Sequence, residues 1–122
     1  MEAHQLTALI VDDDMMIRMI HRKMLSNIGV RNQAVQNGKE AIDLHHSGKS
    51  FDLILMDKDM PVMNGVEATK KLRSMGIHSM IAGVSSSVEK HIPEFIEAGL
   101  DTYLEKPLNT DKLNSIIHQI IH

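Results

Sequence analysis

The chain has 122 residues, 43% of them apolar but few aromatic, with a formal charge of −3 and no cysteine. That length fits one domain with one core, and the mild acidity argues against a basic nucleic-acid surface. No apolar run approaches the roughly 18 residues that cross a bilayer, the N-terminus lacks the regions of a secretory signal, and without cysteine there is neither a disulfide nor a thiolate metal site.

A cytoplasmic or nuclear protein is the expectation. In chain order, Ala8-Leu9-Ile10-Val11 reads as a first buried strand that stops at Asp12-Asp13-Asp14. Met15 to Ile28 reads as a helix. Ile17, Ile20, Met24 and Ile28 form its core stripe and Gly29 stops it. A short second strand falls around Gln33-Ala34-Val35. Asn37 then caps a helix to about His46, with Glu40 three residues on. Leu53 to Met56 is a third strand, delivering Asp57. Asn64 and Glu67 repeat the cap, opening a helix that ends near Gly76. Met80 to Val84 is a fourth strand. Pro93 disfavours a continuous helix but suits a first helical position, so a short helix is expected from Pro93 to Ala98. Thr102 to Glu105 is a fifth strand. Leu113, Ile116, Ile117, Ile120 and Ile121 mark the apolar face of the last helix. Strands alternating with helices imply an α/β fold with a parallel sheet, right-handed crossovers and helices on both faces.

Four strand ends carry the chemistry. They supply Asp12 and Asp13, then Asp57, then the hydroxyls of Ser85-Ser86-Ser87, then Lys106. In open α/β sheets that edge binds ligands. Carboxylates packed together repel unless a cation joins them, and Mg²⁺ takes such hard oxygen ligands. A helix cap needs one side chain, so Asp14 is read as the cap and Asp12 and Asp13 remain for other work. Lys106 can balance the acids and hold a phosphoryl oxygen, or form a buried structural ion pair with Asp57. Ser85, first after its strand, is the preferred hydroxyl. The eight histidines give no metal pattern and are read mostly as surface residues, and the ten methionines mostly as core filler. Met15 and Met19 fall opposite the core stripe of the first helix and suggest an adaptable docking patch.

The acidic pair, the run Met56-Asp57-Lys58-Asp59-Met60-Pro61-Val62-Met63-Asn64-Gly65, the hydroxyl of Ser85 and the pair Lys106-Pro107 together resemble the receiver domain of two-component response regulators. The likeness spans essentially the whole chain as one domain. It is greatest to the small plant regulators that lack an output domain and belong to cytokinin signalling. The resemblance implies a flavodoxin-like (βα)5 fold with strand order 2-1-3-4-5. It implies Asp57 as phosphoacceptor, with Mg²⁺ held by Asp13, Asp57 and the backbone carbonyl of Asp59, and by Asp12 mostly through water. Ser85 and Lys106 would contact the phosphoryl group, Ser85 and Tyr103 would form a switch, and the Lys106-Pro107 bond would be cis. The donor would be a histidine-containing phosphotransfer protein or a histidine kinase, docking near the first helix and at Pro107-Leu108. The protein would be a monomer without nucleic acid or membrane. Two departures stand out: serine where threonine is commoner, and a Ser85–Ala98 stretch one residue short.

Other classes compete. Asp57-Lys58-Asp59 also resembles the Asp-x-Asp of haloacid-dehalogenase-type phosphatases, although that motif belongs on a first strand. A receiver cut from a hybrid histidine kinase, or a receiver-like module that never takes phosphate, shares the fold. Met1 and the short leader favour a free-standing protein.

Overall fold

The computed structural model describes residues 5–85, 92–106 and 108–121. Five strands alternate with five helices: β1 (Thr7–Val11), α1 (Met15–Asn27), β2 (Arg31–Val35), α2 (Gly38–His46), β3 (Leu53–Asp57), α3 (Gly65–Ser74), β4 (Met80–Ser85), α4 (Ile92–Glu97), β5 (Thr102–Glu105) and α5 (Thr110–Ile121). The strands pair in parallel in the order β2-β1-β3-β4-β5, the order that the resemblance implies. Ser86, Ser87 and Pro107, including the bond before Pro107, lie outside the described residues.

Successive strand side chains point to opposite faces. Ala8, Ile10, Leu53, Leu55, Ala82 and Val84 pack with Leu25 of α1 and with Leu113 and Ile116 of α5. Leu9, Val11, Ile54, Met56 and Ile81 pack on the other face with Ala41 and Ile42 of α2, Ala68 and Leu72 of α3 and Phe95 of α4. The expected single core is therefore two apolar clusters separated by the sheet. Burial on both faces explains why β1 and β3 read as continuous apolar runs rather than alternating ones.

The caps are as the sequence suggests. Asp14 accepts from the N–H groups of Met16 and Ile17. Asn37 accepts from Glu40, whose carboxylate reaches back to Gln36 N–H. Asn64 and Glu67 form a reciprocal capping box. The core stripe of α1 is turned from the expected one: His21 and Leu25 are its buried positions, and Ile20 is 40% exposed. Ile17, His21, Leu25 and Ile28 share a face just as well by periodicity, and the apolar cluster packed around Leu25 decides between the stripes. Histidine is thus not confined to the surface, since both His21 and His45 are buried. At the far end of α5, Ile121 is exposed.

Candidate active site at the C-terminal edge of the sheet

Register assembles the site. Val11 of β1 lies beside Met56 of β3, so the next residues, Asp12 and Asp57, emerge side by side at the sheet edge. Asp57 lies opposite Val84, and Ser85 opposite Glu105, which puts Ser85 and Lys106 at the same edge. Backbone bonds extend this beyond the strands: Lys58 N–H donates to Val84 O at 3.2 Å and Lys106 N–H to Ser85 O at 2.9 Å. Gly65 N–H donates to Lys58 O at 2.9 Å, drawing the start of α3 against β3. A Cβ on Gly65 would stand 2.1 Å from the carbonyl oxygen of Asp57, so only glycine permits this approach.

Asp12 and Asp57 are buried, and Asp13 is exposed at the mouth. Carboxylate oxygens of these three residues lie within 4.8 Å of one another. Lys106 Nζ bridges two of them, 2.8 Å from Asp12 Oδ2 and 2.9 Å from Asp57 Oδ1. Three carboxylates facing one ammonium leave negative charge uncompensated, and the donors are hard oxygens, so the set fits a divalent cation such as Mg²⁺. Asp12 also accepts from Asp14 N–H through Oδ1, which orients its carboxylate. Arg18 donates to the carbonyl of Asp12 at 2.8 Å.

Burial pushes the Asp57 carboxyl up to about 6; the Lys106 hydrogen bond works against this, and the nearby charges of Asp12 and Asp13 add to it. Burial tends to lower Lys106, but its hydrogen bonds to Asp12 and Asp57 outweigh that and hold the ammonium above its ordinary value. Both follow from packing like charges in a desolvated cleft with one counter-charge.

The structure brings Asp12, Asp13, Asp57, Ser85 and Lys106 to one edge. Ser85 is 1% exposed at the end of β4. Tyr103 stands opposite Gly83, two residues before Ser85, so Tyr103 and Ser85 share the α4 face of the sheet. The Asp59 carboxylate is exposed and reaches Lys58 Nζ at 3.3 Å. The β3–α3 connection that carries it is tight. Met63 N–H bonds Pro61 O at 2.8 Å around Val62, which has φ of 71°. For a β-branched residue that is a strained γ-turn. Met15 and Met19 are exposed as expected, at 62% and 60%, and Met16 and Ile20 join them. Leu108 is not available for docking, because its side chain is 5% exposed and packs in the α1–α5 cluster. Sequence reasoning missed His21 and Lys58, both buried at the margins of the site. The spacing of Ile17, His21 and Leu25 was the available signal for the first.

The doubly wound five-stranded sheet gathers clustered acids and a lysine at its C-terminal edge, and the family model described as the response regulator receiver domain, a signalling domain, matches residues 8–118. The chain belongs to that family. It is 54% identical over 117 residues to two-component response regulator 24 of Arabidopsis thaliana, covering 95% of this chain and 84% of that protein. It is 48% identical over 118 residues to the Arabidopsis two-component response regulator ARR22, covering 94% and 83%. Among solved structures it superposes with a TM-score of 0.86, at 26% identity and covering 97% and 98%, on the receiver domain of a Pseudomonas aeruginosa sensor histidine kinase with a magnesium ion coordinated in its active-site cleft.

Proposed function

We propose that this chain, as a single receiver domain, accepts a phosphoryl group on Asp57 from a phosphohistidine of a histidine phosphotransfer protein or histidine kinase. The observation that carries the reading is the Lys106 ammonium held between Asp12 and Asp57 beside a third carboxylate. A structural ion pair needs one acid and one base. It does not need a surplus of buried negative charge.

A free Asp57 oxygen attacks phosphorus in line with the leaving imidazole. The new O–P bond makes an acyl phosphate, the P–N bond breaks, and the imidazole leaves with its electron pair and takes up a proton. Charge spreads over the phosphoryl oxygens as this happens, so positioning and electrostatics carry the catalysis. Lys106, already 2.9 Å from Asp57, is placed to receive one of those oxygens. Asp12, Asp13, Asp57 and the carbonyl of Asp59 would hold Mg²⁺, which when bound supplies further positive charge to the phosphoryl group. Ser85 would then donate to a phosphoryl oxygen. Its movement, on the face it shares with Tyr103, would let the ring turn inward, a local charge change biasing a two-state element. The exposed apolar residues Met15, Met16, Met19 and Ile20 on α1 offer the partner a docking patch next to the cleft.

The phosphatase reading places a general acid two residues after the nucleophile. Asp59 is instead engaged with Lys58, which disfavours that reading. Incubation with phosphorylated histidine phosphotransfer proteins, with and without Mg²⁺, tests the proposal. Metal-dependent transfer without turnover of a generic phosphate ester is expected. Ester turnover with no stable phosphoprotein would overturn it.

A further inference from the structure

His21 lies on the inner side of α1 and is 1% exposed. An imidazole there is costly, because its polar atoms must find partners away from water. Its Nε2 is 3.4 Å from the backbone nitrogen of Leu108, whose N–H donates to it. Leu108 comes two residues after Lys106, and its side chain is fixed in the α1–α5 cluster. Burial holds the imidazole below its ordinary pKa, opposed by Asp12 and aided by Lys106, and the Leu108 N–H donating to Nε2 requires that nitrogen to carry no proton.

Resting on the phosphoacceptor reading, we infer that His21 is a positioning residue: by accepting the Leu108 N–H it fixes the β5–α5 connection and so holds the Lys106 ammonium between Asp12 and Asp57. A lysine head group sits on a flexible four-carbon stem. Where it rests depends on how firmly its backbone is held on each side. On one side Lys106 N–H is bonded to Ser85 O at 2.9 Å. On the other, the Leu108 N–H is tied to α1 through His21. Without that second tie a buried N–H loses its acceptor, and the connection must shift to find another.

The alternative is an ordinary buried histidine that contributes only stability. The two are separated with His21→Leu, which keeps apolar volume but has no acceptor, and His21→Gln, whose side-chain oxygen can accept. Labelling of Asp57 by acetyl phosphate at saturating Mg²⁺ should slow about tenfold in His21→Leu, the effect of one lost buried hydrogen bond, and largely recover in His21→Gln. The Lys106 ammonium resonance should shift in the first variant and return in the second. Equal rates in His21→Leu and the parent, or equal slowing in both variants, would overturn the inference. Should His21→Leu not fold, the parent protein decides. Acceptance at Nε2 requires the proton on Nδ1, and ¹⁵N imidazole shifts showing an Nε2–H tautomer would overturn the inference. A parent protein that takes no label at all defeats the phosphoacceptor reading. The tautomer and the Lys106 resonance in His21→Gln, compared with the parent, then still judge the positioning role.

Discussion

Asp57 must ionise where burial opposes it, and this has a measurable consequence for stability. Its carboxyl is raised from 3.8 to about 6. Between those values the folded chain binds the proton more readily than the unfolded chain. The stability that Asp57 contributes is therefore fully present below the unfolded value and is lost as pH rises through about 6. At neutral pH the ionised group opposes folding by up to about 3 kcal/mol. Urea unfolding without Mg²⁺ should show Asp57→Asn more stable than the parent by about 2 kcal/mol near pH 7, with the difference vanishing toward pH 4 and narrowing when Mg²⁺ saturates the site. His21 works in the opposite direction: lowered by burial, it contributes stability that is lost as pH falls below its unfolded value. Only the difference between parent and variant therefore isolates Asp57, and a difference independent of pH would contradict the account. Asp13 is the exposed member of the carboxylate cluster. Asp13→Ala should weaken Mg²⁺ binding about tenfold or more, followed by amide shifts at the ends of β1 and β3; equal affinity would remove Asp13 from the metal shell. The charged residues of the site were legible because each follows an apolar run. The pairing of Lys58 with Asp59 was not, since periodicity does not say which way a loop side chain turns.

At the scale of elements, α3 meets β3 through Gly65. Gly65→Ala would set a methyl against the Asp57 carbonyl, an atom that cannot yield without moving the strand end. We expect a loss of about 2 kcal/mol, the usual cost of overpacking, together with slower acetyl phosphate labelling; unfolding curves that superpose on the parent would show the approach to be loose. Helix α1 carries the interaction prediction. With Met15 and Met19 both changed to Gln, transfer from a phosphorylated partner should fall while labelling by acetyl phosphate persists. Unchanged partner transfer would place the docking face elsewhere. The ends of the helices were legible from their caps, because Asp14, Asn37 and Asn64 each solve a local problem, the unpaired N–H groups of a first turn. The rotation of α1 was not legible. Two stripes one residue apart at their middle positions, Ile20 and Met24 against His21 and Leu25, share its surface, and burial of His21 and Leu25 rather than Ile20 depends on Leu108 and the neighbouring strands.

Across the whole molecule, the sheet separates two tasks. Its two faces bury the apolar clusters that stabilise the fold. Its C-terminal edge gathers from separate strands the charges that would be unstable inside either cluster. The strand order was legible in advance only through the family likeness, because apolar runs alone do not say which strands are neighbours. The central claim is that this edge exists to take a phosphoryl group on Asp57. The most direct test is mass mapping of the protein after transfer from a phosphorylated histidine phosphotransfer protein and chemical trapping of the acyl phosphate. The account predicts Mg²⁺-dependent modification at Asp57 and none in Asp57→Asn. Undiminished modification of Asp57→Asn, or a trapped phosphate mapped to another residue of the parent chain, would contradict it.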